Sequence, residues 1–256
     1  MSEVRRPNTM RARARRGDGG ARRRQGPPQR IGLVGATGLI GRTLIEISSA
    51  GDVARMVGIS RREIDMPKGA RMELFVAQAD KWGEVLAAVR PRSLICALGT
   101  TWNKAGKTEE GFRAVDQDLI VETARVAKEA GISNFVLVSS AGADLRSKNF
   151  YLKVKGETEA LVTRIGFKRL DILQPGLLRG TREADWRVKE RLAIALSPVI
   201  DPLLPTKYAA FRSVEATLVA QAALGLAMRR ASGRFTHDNE AMRRAARDWR
   251  SKAEQE

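Results

Sequence analysis

One cysteine and one histidine stand among the 256 residues, and each scarcity removes a class of chemistry. Cys96 alone forms no internal disulfide and no multi-cysteine zinc site. His237 alone supports no two-histidine metal centre and leaves little histidine acid–base chemistry. No metal is therefore expected. Acidic residues are short as well: 29 Asp and Glu face 46 Lys and Arg, a net charge of +17. No apolar run approaches the ~20 residues needed to cross a bilayer. The longest candidate, residues 192–204, is interrupted by Pro198, Asp201 and Pro202. A cytoplasmic protein without a membrane span is expected. At 43% hydrophobic the chain can still bury a real core.

Much of the positive charge sits at the start. Residues 1–29 hold nine arginines and two acids, Glu3 and Asp18, a net +7. The segment is rich in Gly and Pro and almost empty of large apolar side chains, so it reads as a disordered leader. It lacks the apolar core of a secretory signal and the amphipathic, Ser-containing pattern of a transit peptide. Such a polycation is either a solvated extension or a weak contact for nucleic acid or an acidic surface.

Directly after it, RIGLVGATGLIGRTLIEISSAG reads strand, turn, helix. Ile31, Leu33 and Val34 make the strand, and Ile40, Leu44 and Ile47 continue at helical spacing. Between them runs Gly35-x-x-Gly38-x-x-Gly41, with Thr37, Leu39 and Ile40 in the same turn and helix start. Gly35 suits the tight turn, Gly38 lets backbone amides approach a pyrophosphate, and Gly41 lets the helix pack close to the sheet. That is a dinucleotide-binding pattern in the context it requires.

The alternation continues. Strands are expected at 54–59, 72–77, 93–97, 134–139 and 170–173, and helices at 82–89, 109–130 and 150–165. Runs such as FVLV and LICAL are apolar without alternation, as strands covered on both faces should be. The order implies an α/β fold of Rossmann type: a doubly wound parallel sheet with helices on both faces over residues 30–256. Residues 181–256 would add a small lid over the substrate side.

An NAD site would carry an acid at the end of the second strand. Here Ser60, Arg61 and Arg62 stand there, and a guanidinium suits a 2′-phosphate. NADP(H) is the expected cofactor. Asp80 could receive the adenine amino group, although a helix N-cap is an equal reading.

The fifth strand runs into Ser139-Ser140-Ala141-Gly142, and YLKVK follows with Tyr151 and Lys155. Positions i and i+4 share a helix face, so phenol and ammonium can point into one pocket. A cation lowers the pKa of a nearby phenol, and a serine hydroxyl can hold a carbonyl oxygen. Those parts suit hydride exchange between a nicotinamide and a carbonyl carbon.

The stretches FVLVSSAGADLRSKNFYLKVKGETEALV and LDILQPGLLRGTRE resemble the short-chain dehydrogenase/reductase superfamily. They are most similar to its atypical branch, which contains the Tat-interacting tumour-suppressor oxidoreductase and bacterial relatives. The resemblance covers about residues 30–185. It implies Tyr151 as proton donor and acceptor, Lys155 as ribose ligand and tuner of Tyr151, and Ser140 or its neighbour Ser139 as substrate-orienting. It implies that Leu98, Gly99 and Thr100 line the cofactor, and that the turn with Pro175, Leu177 and Leu178 lies near the carboxamide. Two departures stand out: Ser140 precedes Tyr151 by fewer residues than is usual, and Gln174 stands where an Arg commonly precedes the Pro-Gly pair.

Farther on, helices fit 184–196 and 213–228, then GRFTH reads as a short strand, an Asp238/Asn239 cap and a basic helix. Tyr208 and Arg212 are candidate substrate contacts, and Trp102 and Asn103 a candidate wall of the nicotinamide site. Cys96 reads as core and His237 as a surface or capping residue. Two helices carry apolar faces that suit either a homodimer or core packing. The expected function is an NADP(H)-dependent oxidoreductase for a small carbonyl or alcohol substrate. The rivals are an NADPH-binding regulatory or assembly protein, a nucleic-acid binder working through the leader, and a nucleotide-sugar epimerase.

Overall fold

The computed structural model describes residues 29–49, 54–66, 70, 72–179 and 212–253. Residues 1–28 of the leader, the helix expected at 184–196 and Tyr208 lie outside these residues, while Gln29, the leader's last residue, already belongs to the first strand. Strands β1 (Gln29–Val34), β2 (Ala54–Ser60), β3 (Glu73–Val76), β4 (Ser93–Cys96), β5 (Asn134–Val138) and β6 (Arg169–Leu173) alternate with helices. The helices between them are α1 (Leu39–Ser49), α2 (Trp82–Val89), α3 (Glu109–Arg113), α4 (Ile120–Glu129) and α5 (Phe150–Ile165). A π-helical turn, Ala114–Leu119, joins α3 to α4. Then come the short pair β7 (Leu178–Arg179) and β8 (Val214–Glu215), α6 (Ala216–Ala227), β9 (Gly233–His237) and α7 (Asn239–Ala253).

The main sheet has seven strands in the order β3-β2-β1-β4-β5-β6-β9, and every pairing is parallel. This is a Rossmann-like doubly wound sheet. Its central strands alternate between two apolar layers. Ile31, Leu33, Ile95 and Val136 face a core shared with α1, α6 and α7. Val34, Leu94, Cys96, Phe135 and Leu137 face a second core with α2, α4 and α5. Both faces are dry, which is why the sequence shows continuous apolar runs rather than alternation.

The carboxyl-terminal segment departs from the lid expectation. Helix α6 is rich in buried alanines, among them Ala220, Ala222, Ala223 and Ala227, and packs against α1 and α7. Strand β9 extends the sheet beside β6. Residues 214–253 are thus part of the domain's layers. Two buried polar side chains hold the end of α6: Ser93 Oγ donates to the Ala227 carbonyl at 2.5 Å, and Asn134 Nδ2 to the Arg229 carbonyl at 2.8 Å. They satisfy carbonyls that a helix terminus leaves without partners.

His237 is likewise buried rather than a surface or capping residue. Its Nε2 lies 2.8 Å from Asp171 Oδ1, and the same carboxylate receives Arg169 at 2.6 and 2.7 Å. Arg169 and Asp171 stand two residues apart on β6, and the pairing of β9 with β6 adds His237, a long-range contact that local sequence does not reveal. Asp238 does cap α7, accepting from the Ala241 amide at 2.8 Å. Asn239 instead accepts from the Gly176 amide at 3.1 Å and so fixes the Pro-Gly turn.

Candidate active site

Between β1 and β4 the strand order reverses, and at that switch point the carboxyl ends of the strands diverge. A cleft of about 940 Å³ opens there. One wall is the glycine turn and the start of α1. Gly35 takes φ +88°, and a Cβ on it would sit 2.4 Å from the Ala97 carbonyl carbon. A Cβ on Gly41 would approach the Gly35 oxygen to 2.2 Å. Gly38 is different: it is exposed to the cleft, and a Cβ there would come no nearer than 3.4 Å to another atom. The fold itself demands glycine at 35 and 41, whereas at 38 only an occupant of the cleft would.

The Gly38 amide donates to the Gly35 carbonyl, and the Arg42 amide to the Gly38 carbonyl, each at 3.0 Å. The amides of Leu39, Ile40 and Gly41 therefore begin an eleven-residue helix without a carbonyl one turn back. Backbone donors, a helix N-terminus and a glycine without a side chain suit a pyrophosphate. Thr37, Leu39 and Ile40 line the same wall, and Leu98, Gly99 and Thr100 close it from beyond β4.

The opposite wall is α5. Asn149 caps this helix, its side chain accepting from the Leu152 amide at 3.1 Å. Tyr151 and Lys155, one turn apart, both line the cleft. Tyr151 is 40% exposed; Lys155 is buried. Phe112 meets Tyr151 edge-on at 5.7 Å and Phe150 at 5.8 Å, and Phe150 meets Trp102 at 6.1 Å. This aromatic ladder holds the phenol against the helix.

Lys155 Nζ lies 2.7 Å from Asp116 Oδ1 and 5.9 Å from the Tyr151 ring centroid. The second Asp116 oxygen accepts from the Thr100 amide at 2.7 Å, tying the loop after β4 to α5. Burial works against the Lys155 ammonium, but Asp116, and then Tyr151, outweigh it and raise its pKa. Below them burial pushes the Cys96 thiol to about 12, so it is an inert core residue, as expected. Asp116 belongs to the π-helical turn, a distortion often found at functional sites. Its own carbonyl accepts from Thr158 Oγ1 at 2.8 Å. The sequence reading missed Asp116. Its one signal was an acid on the apolar stripe that contains Phe112, Ile120 and Ala124, a stripe with little room for an unpaired charge. Part of the Lys155 field is thereby offset by Asp116 before it reaches Tyr151.

Of the two serines, Ser139 faces the cleft and donates to Glu159 Oε1; Ser140 does not line it and turns to the Ala141 carbonyl at 3.4 Å. Ser139 rather than Ser140 is brought to the cleft, because β5 ends at Val138 and its next residue points inward. Leu178 lines the cleft, whereas Pro175 and Leu177 do not. Ser60 is buried at the end of β2, and Arg61 and Arg62 are exposed just beyond it, outside the cleft lining. Asp80 is exposed within a short 3-10 turn, neither a cap nor a lining residue. Trp102 and Asn103 stand on the outer side of their loop, while Thr101 and Lys104 reach the cleft. Arg42, Glu46, Arg179 and Glu215 add charged groups that no motif marked.

A family model described as NAD(P)H-binding matches residues 35–192. The protein fmp52, mitochondrial, of Emericella nidulans is 37% identical over 160 residues, covering 60% of this chain and 68% of that protein. FMP52, mitochondrial, of Debaryomyces hansenii is 38% identical over 156 residues, covering 59% and 67%. These relatives bear the FMP52 name and not that of a Tat-interacting oxidoreductase. Their names also place them in mitochondria, which overturns the cytoplasmic expectation. MoeE5 in complex with UDP-glucose and NAD is a similar solved structure, with TM-score 0.61 and 14% identity over 80% of this chain and 74% of that one. A UDP-glucose 4-epimerase of Thermotoga maritima gives TM-score 0.60 and 12% identity over 82% and 77%. At such identities the likeness is one of fold.

Proposed function

The chain belongs to the NAD(P)H-binding family, and on that premise we propose that it is an oxidoreductase working on a small carbonyl or alcohol, with NADP(H) as its cofactor. The carrying observation is the cleft itself, which brings the amides at the start of α1 opposite Ser139, Tyr151 and Lys155. The amides of Leu39, Ile40 and Gly41 would hold the pyrophosphate, and Leu98 to Thr100 would flank the cofactor. When bound, the dinucleotide supplies or accepts the hydride. Tyr151 holds the transferable proton on its phenol oxygen and gives it to the carbonyl oxygen as that carbon is reduced. Lys155 keeps a positive charge beside the phenol and is held in place by Asp116. Ser139 fixes the substrate oxygen. Arg61 and Arg62, standing where an NAD site would carry an acid, favour NADP(H) over NAD(H).

The Y-x-x-x-K helix and the serine pair support placing the chain in the atypical short-chain dehydrogenase/reductase branch. The names of its relatives support a mitochondrial rather than a cytoplasmic setting. One observation favours a second reading. The Asp116 carboxylate offsets the Lys155 charge, which weakens activation of Tyr151 and suits an NADPH-binding regulatory or assembly protein with little turnover. Tyr151→Phe separates the two. In an enzyme it abolishes NADPH-dependent carbonyl reduction, on the order of 100-fold or more, and leaves cofactor affinity unchanged. A wild type that binds NADPH but reduces none of a carbonyl panel would favour the regulatory reading.

A further inference from the structure

Glu159 lies on α5 one turn beyond Lys155 and touches the serine that faces the cleft. Its Oε1 accepts the Ser139 hydroxyl, and both its oxygens accept from Gln174 Nε2, at 3.0 and 2.9 Å. A serine hydroxyl carries one proton. If that proton is given to a carboxylate, Oγ can only accept from whatever occupies the cleft.

We propose that Glu159 is a positioning residue whose protonation sets the direction of the Ser139 hydroxyl, and with it whether the site can hold a carbonyl oxygen. This rests on the oxidoreductase reading above. With Glu159 ionised, Ser139 donates inward and offers the cleft only a lone pair, which a carbonyl oxygen, itself an acceptor, cannot use. With Glu159 protonated on Oε1 by a proton from solvent, that group donates to Ser139 Oγ, and the serine proton turns to the cleft to donate to a carbonyl oxygen. Gln174 stays on Oε2 in both states and keeps the carboxyl in register. The two arrangements differ by one proton and the rotation of one hydroxyl.

The surroundings suit such a switch. The charged group acting on Glu159 is Lys155, whose field favours the carboxylate, and that lysine is itself engaged by Asp116 from the π-helical turn. Among the described residues, those that reach Glu159 from the end of β5 and from beyond β6 are the neutral Ser139 and Gln174. Burial is the strongest influence and pushes the Glu159 carboxyl above the usual glutamate range, with Ser139, Gln174 and Lys155 pulling it back. A cation in place of Gln174 would pin the carboxylate in its charged form; an amide brings two donors and no charge.

The test is an NMR titration of the glutamate side-chain carboxyls in the full chain, with the Glu159 signal assigned by its absence in Glu159→Gln. In wild type its midpoint is expected above those of the exposed glutamates. Ser139→Ala removes a donor to the anion and should raise the midpoint, and Gln174→Arg should lower it, each by on the order of one unit, or about tenfold in proton affinity. Those shifts establish the contacts on Glu159. The readout that a merely structural carboxylate would not move is a pH profile: the KM for a reducible carbonyl should rise through the Glu159 midpoint in wild type and lose that dependence in Glu159→Gln, and a profile unchanged in Glu159→Gln overturns the proposal. A Glu159 midpoint that stays put in Ser139→Ala overturns the proposal, as does one within the ordinary range in wild type. The titration needs no turnover. Failure to bind NADPH would sink the oxidoreductase reading while leaving this result to be judged separately.

Discussion

The two walls of the cleft are built on opposite principles. On the α1 side the site is made of what is missing: side chains at Gly35, Gly38 and Gly41, and carbonyls one turn behind the first helical amides. On the α5 side it is made of buried charge, with Lys155 and Asp116 paired beneath a half-exposed Tyr151 and Glu159 bonded to Ser139. A wall of backbone is intolerant of added atoms. A wall of paired charges is intolerant of removed ones.

The sharpest way to break this contrast is to unpair the charges. Asp116→Ala leaves the Lys155 ammonium buried without its anion and frees the Thr100 amide, and should destabilise the fold by about 3–5 kcal/mol. Chemical denaturation checks it; a loss below about 1 kcal/mol would mean that the ion pair relaxes into solvent. Next in size is Gly41→Ala, which drives a Cβ onto the backbone of the turn. It should cost about 1–3 kcal/mol and weaken NADPH binding with it. A Gly41→Ala variant as stable as wild type would show that the turn has room it does not display.

A smaller effect is read from pH. The folded state raises the Lys155 pKa above its ordinary 10.5. The stabilisation from its pairing is therefore present in full below 10.5 and is lost as pH rises through the higher folded value. Thermal melts across this alkaline range should fall more steeply for wild type than for Lys155→Met. Parallel curves would contradict the assignment.

The same contrast explains what the sequence could tell. The glycine wall was legible because its logic is local: a strand, three spaced glycines and a helix lie within one short stretch. The sheet was legible because its strands, apolar on both faces, stand out as uninterrupted runs between helical patterns. Tyr151 and Lys155 were legible as an i, i+4 pair. Asp116, Glu159 and the burial of His237 against Asp171 were not, since each acquires its partner from another element of the fold. The choice between Ser139 and Ser140 turned on where β5 ends, a matter of a single residue. The carboxyl-terminal region misled because GRFTH is too short to announce a central role, yet it supplies the seventh strand.

The central claim is that the α1 wall is shaped for a dinucleotide, and Gly38 isolates it, since the fold tolerates a Cβ there and a bound pyrophosphate would not. Calorimetric titration of NADPH and NADH into wild type and Gly38→Ala, at one salt concentration, is the direct measurement. Wild type should bind NADPH, with NADH at least about tenfold weaker. The Gly38→Ala variant should melt like wild type while losing at least about tenfold in NADPH affinity, some 1.4 kcal/mol. Equal NADPH affinity in wild type and variant, or no binding of either dinucleotide, would contradict that claim.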